Sequence, residues 1–170
     1  YYVSCSKQNW LYSIERINLD GTGHEVLVKD LELKDFGYDI YPVGSRIFYQ
    51  TNDDQIHCIN EDGSHTSYGS GNIHGVIRDE LYYTDDRGLW KISAKNSKKL
   101  VVPYNVILEY CQMSDVSEDG TAIALYYSGD DDSERGYLYL VNTQDYSITI
   151  LAEGDTIWPA RFIGDYIYYH

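Results

Sequence analysis

The strongest constraint in this sequence is a pair of adjacent aromatic residues that recurs along the whole chain. Successive pairs are separated by 47, 34, 44 and 42 residues. A four-stranded propeller blade takes roughly 40–45 residues, so the spacing predicts one such blade per repeat. The pairs are Tyr1-Tyr2, Phe48-Tyr49, Tyr82-Tyr83, Tyr126-Tyr127 and Tyr168-Tyr169.

The sequence flanking each pair has the same order of turns and strands, and the second repeat illustrates it. A polar turn at 43–46 precedes the pair, and an alternating apolar–polar segment at 56–60 follows it. Alternation with period two predicts a strand with one buried face. Asp62-Gly63 then indicates a hairpin turn, because glycine accepts a positive φ without a Cβ clash, and a short strand at 66–68 closes the repeat. Each repeat therefore predicts a four-stranded antiparallel meander.

The predicted fold class is all-β, a β-propeller of about four repeats, with almost no helix. Meanders repeated at this period stack radially. We interpret residues 1–170 as a single propeller domain or a propeller fragment. The chain begins and ends within the second strand of a repeat. Two arrangements satisfy this phase: a closed four-bladed ring, or an arc of a larger propeller, which the uneven spacing favours.

Two burial expectations follow from the residue types. Period-two placement puts one member of each aromatic pair in the core. The three cysteines, Cys5, Cys58 and Cys111, lie 53 residues apart each time and form no Cys-x-x-Cys motif. We therefore expect three separate buried thiols and no zinc site.

Charge restricts the partners. The chain has 13 basic and 27 acidic residues, a formal net charge of −14. A nucleic-acid groove or an anionic membrane surface requires a basic patch, so we expect neither partner, and an acidic surface favours cationic or neutral ligands. No run of 18 apolar residues occurs, so we expect no membrane insertion.

No motif predicts catalysis, a metal site or a cofactor. The acidic run at 130–134 contains calcium-type ligands but lacks the alternating spacing of a calcium loop, and we interpret it as a solvated loop. The five histidines are scattered, and Gly69-Ser70-Gly71 lacks the spacing of a nucleophile elbow. No pair of carboxylates stands out for glycoside hydrolysis.

Three aromatic residues fall outside the predicted strand centres and are the candidate binding residues: Trp10, Tyr104 and Trp158. Trp10 lies in a loop between the second and third strands of a repeat, and the other two lie between repeats. In a propeller these two classes of loop share one face. Exposed aromatic rings stack on sugars or anchor peptides, whereas the alternative is packing between neighbouring blades.

Four segments resemble known propellers. Tyr82-Tyr83-Thr84-Asp85 resembles the YWTD motif of low-density-lipoprotein-receptor propellers, and Pro42 to Tyr49 resembles the stretch preceding that motif. Ile17 to Leu27 is similar to its downstream strand-turn-strand, and Asp115 to Ala124 resembles the SPDG turn of TolB-type propellers. Together they most resemble a bacterial, largely clostridial, receptor-like β-propeller family of unknown function. Gln50-Thr51 and Ser128-Gly129 replace the Thr-Asp pair elsewhere, so the receptors' inter-blade network is not assumed.

This resemblance implies an extracellular or cell-envelope location, in a Gram-positive bacterium, and a binding role without catalytic residues. We therefore expect a non-catalytic scaffold that binds a protein or peptide through loops on one propeller face. One alternative is a propeller that binds or hydrolyses glycans. A weaker alternative is an accessory propeller of a larger peptidase.

Overall fold

A computed structural model describes residues 1–6, 11–33, 40–128 and 135–169. These residues form a series of small β-sheets. The first sheet contains β1 (Tyr2–Cys5), β2 (Tyr12–Arg16) and β3 (Glu25–Leu31). The second contains β4 (Tyr41–Val43), β5 (Arg46–Gln50), β6 (Gln55–Ile59) and β7 (His65–Ser70).

The later sheets continue the series. The third contains β8 (Asn72–Ile77), β9 (Glu80–Asp85), β10 (Gly88–Ser93) and β11 (Lys98–Pro103). A short helix, α1 (Val106–Tyr110), precedes the fourth sheet. That sheet contains β12 (Gln112–Val116), β13 (Ala122–Tyr127), β14 (Gly136–Asn142) and β15 (Ile148–Gly154), and a fifth contains β16 (Arg161–Ile163) and β17 (Tyr166–Tyr168).

Strand order in every sheet equals chain order, so each sheet is a meander. Neighbouring strands pair antiparallel, as in β4–β5–β6–β7 and β12–β13–β14–β15. The aromatic pairs at 48–49, 82–83 and 126–127 lie in the second strand of their sheets. The predicted fold class, an all-β propeller of four-stranded antiparallel blades, is confirmed.

The chain divides into two compact units. The first comprises Tyr1–Asp85 with Ile92–Ser97, and the second comprises Asp86–Lys91 with Lys98–His170. The interpretation of residues 1–170 as one propeller domain or fragment stays a prediction.

Each unit has its own apolar cluster between adjacent sheets. In the first unit, Ile14 of β2 packs with Ile47 and Tyr49 of β5 and Ile59 of β6. In the second, sheets four and five pack through four buried residues, Ala124, Leu138, Ile157 and Ala160. Burial of these faces removes apolar surface from water and holds neighbouring sheets together.

The expectation of one buried residue per aromatic pair is wrong. Phe48 and Tyr49 are both buried, whereas Tyr1 and Tyr2 are both exposed. Tyr49 faces the cluster shared with the first sheet, while Phe48 on the opposite face contacts Tyr68, with 5.5 Å between ring centroids. The prediction from alternation assumes that one face of the strand is exposed to solvent. A sheet that is covered on both faces buries both residues of the pair. Tyr82 and Tyr83 are likewise both buried, and Tyr168 and Tyr169 are both exposed.

The predicted hairpin turns are built by one hydrogen-bond pattern. In the second sheet, Gly63 N donates to Asn60 O (3.0 Å) and Ser64 N donates to Asp62 Oδ1 (2.9 Å). Asn18, Asp20, Gly21 and Thr22 repeat the pattern in the first sheet. Gly63 has φ +80°, a conformation that disfavours side chains with a Cβ.

Candidate binding site

A cavity of about 320 Å³ lies between the first two sheets, inside the first compact unit. The apolar side chains of its lining, called the apolar floor below, are Leu27, Ile47 and Ile59, which also belong to the cluster between these sheets. Ile47 and Ile59 are almost fully buried, so Leu27 is the most accessible of the three. The cavity is therefore attached to a packed core. A small volume with an apolar floor suits a side chain or a small ligand.

One part of the polar rim is the cross-strand pair Arg16 and Glu25. These residues are partners in the β2–β3 register. Arg16 Nε and Nη2 lie 2.8 and 2.7 Å from Glu25 Oε2, and both side chains are about half exposed. The hydrogen bond and charge of Glu25 raise the pKa of the Arg16 guanidinium. The pair fixes a guanidinium–carboxylate dipole at the cavity edge.

The other part of the rim comes from two turns of the second sheet. Ser45 Oγ, between β4 and β5, donates to Glu61 Oε2 (3.0 Å), between β6 and β7. The backbone and side-chain hydrogen bonds from Ser64 lower the pKa of Asp62 beside it. Asn60 Nδ2 donates to Ser64 Oγ and to Thr66 Oγ1 (3.0 Å each), which braces this turn.

The lining contains more acidic than basic side chains. Glu25, Glu61 and Asp62 are set against the single guanidinium of Arg16. The surplus of carboxylates attracts a positively charged group, while the apolar floor accepts a methylene stem. Lysine and arginine side chains combine both properties.

The two predicted binding residues that the structure describes, Tyr104 and Trp158, do not line this cavity. Trp10 lies outside the described residues. Tyr104 follows β11 and Trp158 follows β15, each in a connection between sheets, and neither lines the cavity. The cavity rim is formed instead by a cross-strand pair of the first sheet and by two turns of the second.

Both described aromatic residues are exposed, Tyr104 by 54% and Trp158 by 55%. Their rings are therefore available at the surface. The Tyr104 hydroxyl donates to Glu109 Oε2 (3.0 Å), and this carboxylate raises the pKa of the tyrosine. Tyr104 N also donates to Arg87 O (2.8 Å), so backbone and side chain are both held.

Sequence reasoning missed the cavity residues. Arg16, Glu25 and Ser45 belong to different strands and turns, and no motif joins them. The Asp62-Gly63 turn was recognised only as a hairpin signal. Cross-strand register is the one signal that pairs Arg16 with Glu25, and it requires the hairpin register to be known.

A second polar cluster surrounds Glu15 on β2. Its carboxylate accepts hydrogen bonds from Tyr2 Oη (2.8 Å), from Ser4 Oγ and from His24 Nε2 (2.5 Å). Hydrogen bonds, led by the one from Ser4, lower the Glu15 pKa to about 2. A carboxylate so strongly ionised suits a hydrogen-bond acceptor rather than a general acid.

Metal ligation has no candidate among the residues described. Within that part of the chain, no group of three or more His, Cys, Asp or Glu side chains is arranged to hold a metal ion. The acidic run at 130–134 lies outside it. The described residues also contain no helix long and apolar enough to cross a membrane.

The expectation of three buried thiols is wrong for one of them. Cys58 and Cys111 are buried, and burial raises the pKa of each to about 11. Cys5 is exposed at the end of β1. A strand-end residue need not be covered even when its type favours burial.

Comparison with known proteins yields structural likenesses but no match in sequence. No family model matches the chain, and no curated protein matches it. The chain is similar to a crystal structure of a catalytically inactive virginiamycin B lyase from Staphylococcus aureus with quinupristin, at 15% identity and a TM-score of 0.45. The match covers 88% of this chain and 54% of the lyase chain, so this chain spans about half its length. A likeness at this level carries no argument about activity, and the fold class rests on the sheets themselves.

Proposed function

We propose that this chain is a non-catalytic binding scaffold for a protein or peptide, and that the cavity between its first two sheets receives a basic side chain of that ligand. The observation that carries the proposal is that apolar side chains and a surplus of carboxylates line the same cavity. Leu27, Ile47 and Ile59 accept the stem of a lysine or arginine. Glu25 and Glu61 then face its charged head.

Peptide binding with a matched charge variant tests this proposal. The probe is a peptide array scored for lysine or arginine, followed by titration of a selected peptide and its norleucine analogue. We expect Glu61→Gln to weaken binding about tenfold, which corresponds to about 1.4 kcal/mol. Glu118→Gln removes an exposed acid from another turn and serves as the control.

Two results would contradict the proposal that the cavity binds a basic side chain. Equal binding of the lysine and norleucine peptides would remove the role of charge. Equal weakening by Glu61→Gln and Glu118→Gln would show that only the overall negative charge matters. A silent peptide array would exclude the peptide ligand itself.

Exposed aromatic residues favour a second contact surface. We propose that Tyr104 and Trp158, the described members of the predicted set, contact a peptide or a glycan by stacking. The support is that both residues are more than half exposed and that hydrogen bonds hold Tyr104.

Parallel glycan and peptide arrays, each with EDTA and calcium arms, separate these ligands. Sugar binding that is lost in Trp158→Ala would identify a carbohydrate module. Peptide binding with a silent glycan array would favour the interaction scaffold. Calcium-dependent binding would assign a role to the acidic run at 130–134.

We further propose an extracellular or cell-envelope location in a Gram-positive bacterium and membership of the receptor-like propeller family. The support is the resemblance of Tyr82-Tyr83-Thr84-Asp85 and of Asp115 to Ala124 to propellers of that kind. Protease accessibility on intact cells would test the location, because an intracellular protein would stay uncleaved.

A further inference from the structure

The third sheet carries charge of the opposite sign from its neighbours. Its outer hairpin, β10–β11, spans residues 88–103 and contains four lysines and no acidic residue. The corresponding hairpins β2–β3, β6–β7 and β14–β15 each have a net charge of −2. In a chain of net charge −14, this hairpin is therefore a local basic surface.

Aromatic contacts hold part of this surface in place. Arg87 Cζ lies 5.1 Å and Lys98 Nζ 4.4 Å from the ring centroid of Trp90 on β10. Such cation–π contacts order the side chains while their charge stays at the surface. Lys98 and Lys99 are both exposed. All four residues belong to the second compact unit.

The lysines lie on the edge of a sheet. The strand order is β11-β10-β9-β8, so within the described part of the chain β11 pairs with β10 on one side and ends the sheet on the other. Lys98 and Lys99 are adjacent in a strand and therefore point to opposite faces. Lysines on an edge strand discourage pairing with uncharged or basic edges. Their positive charge favours an acidic strand instead.

We propose that the β11 edge, with Lys98, Lys99 and Trp90, binds an acidic polypeptide segment in extended conformation. An added strand supplies main-chain hydrogen bonds as well as carboxylates, which only a polypeptide can do. Six residues of β11 correspond to about 20 Å of strand. A polyanion much longer than this patch would also lie over acidic surface. The lysines could not offset that repulsion beyond the Debye length of about 8 Å.

Anisotropy titration of the 170-residue chain with a labelled octapeptide in which Glu-Asp pairs alternate with Val-Val pairs, so that acids lie on both faces of the extended peptide, tests this inference. We expect the Lys98→Glu/Lys99→Glu variant to weaken binding by tenfold or more. The matched control is Lys29→Glu, an exposed lysine on β3, the outermost strand of the first sheet, and it should change binding less than twofold. Circular dichroism checks folding, and Lys98→Gln/Lys99→Gln replaces the double variant if that variant misfolds.

Further arms identify the occupant. An octapeptide N-methylated at alternate residues should bind at least tenfold more weakly, because it cannot complete a strand pair. Absence of saturable binding, or equal affinity of wild type and the double variant, would overturn the site. Tighter binding of single-stranded DNA or a sulfated oligosaccharide would reassign it to polyanions. Self-association by sedimentation, lost in the double variant, would replace the peptide by a second copy of the chain.

Discussion

Buried polar side chains join neighbouring sheets, and different residues do so at different positions. Gln50 Nε2 donates to Gly71 O (2.6 Å), and Gln50 Oε1 accepts from Ile73 N (3.2 Å). Between the fourth and fifth sheets, Asp115 Oδ2 accepts from Phe162 N (2.9 Å), while Ser114 Oγ donates to Ala160 O (2.8 Å). Each contact gives a backbone group of the following segment a hydrogen-bond partner from a buried side chain.

Arg46 is the most connected of these residues and gives the first prediction. It is buried, donates to Asn96 Oδ1 (2.8 Å) and to Ser93 O, and lies over the Phe48 ring. We expect Arg46→Ala to reduce the free energy of unfolding by about 3 kcal/mol, because acceptors and a cavity are left behind. Urea denaturation followed by circular dichroism measures it.

The exposed Arg161 of β16 provides the control for that experiment. Arg161→Ala should change the free energy of unfolding by less than about 0.5 kcal/mol. Comparable losses in the two variants would mean that the Arg46 contacts contribute nothing specific.

His74 on β8 gives a pH prediction. Burial lowers its pKa to about 4, and Nε2 lies 3.1 Å from Thr84 Oγ1. Since the unfolded chain takes up this proton near pH 6.5 and the folded chain only near 4, stability falls as pH drops through that window. From pH 7 to 5 we expect a loss of about 2 kcal/mol that is absent in His74→Gln. Denaturation curves at both pH values measure this difference.

An exposed histidine separates this effect from general acid sensitivity. His65→Gln on β7 should keep the wild-type loss between pH 7 and 5. If His74→Gln kept it too, another group would be responsible.

At the scale of elements, strand burial depends on what covers each face. All five residues of β5 are buried, whereas β16 and β17 each have two exposed residues of three. The same aromatic-rich strand pattern therefore serves both environments. Tyrosine tolerates either, because its ring is apolar and its hydroxyl polar.

A close backbone approach between β10 and the end of β11 gives the third prediction. A Cβ on Gly88 would lie 2.2 Å from Val102 O, and Gly88 has φ +137°. Gly75 has φ +139° but nothing within 4 Å of such a Cβ. We expect Gly88→Ala to reduce the free energy of unfolding by about 2 kcal/mol more than Gly75→Ala, because overpacking adds to the shared backbone strain.

Chemical denaturation of the two glycine variants measures this difference directly. Both substitutions carry the cost of a positive φ, so the comparison isolates the contact with Val102 O. Equal losses would show that backbone conformation alone makes Gly88 necessary.

At the scale of the molecule, the thiols report on folding of both units. Cys58 lies in the first unit and Cys111 in the second, and both are buried with pKa values raised to about 11. Cys5 is exposed. Because the thiolate is the reactive form, we expect a disulfide reagent at pH 8 to label one thiol rapidly and the others only in denaturant. Absorbance of the released thiolate counts them.

Cys5→Ser should remove the rapid phase without changing the denatured count of the remaining two. Rapid labelling of two or three thiols in native protein would mean that at least one unit opens readily. Rapid labelling of Cys111 but not of Cys58 would assign the opening to the second unit.

Local patterns in the sequence suffice to predict the fold class and most strand positions, because both depend on residues that are close together in the chain. The repeated aromatic pair, period-two alternation and turn residues such as Asp62-Gly63 act within a few residues of each other. Hydrogen-bond geometry in the turns at 18–22 and 60–64 follows from those residues alone. The departure of Gln50 from the Thr-Asp pair was also visible in the sequence, although its bond to Gly71 was not.

Packing between distant segments sets which strand faces are covered and which side chains come into contact. Burial of both Phe48 and Tyr49 requires sheets on both sides, which period-two alternation cannot encode. The cavity brings together Arg16, Ser45 and Glu61 from different strands and turns. The sequence shows the basic hairpin as a segment without acidic residues. It does not show that this hairpin lies at the edge of a sheet. Contacts between distant segments depend on register and packing, and no local pattern specifies these.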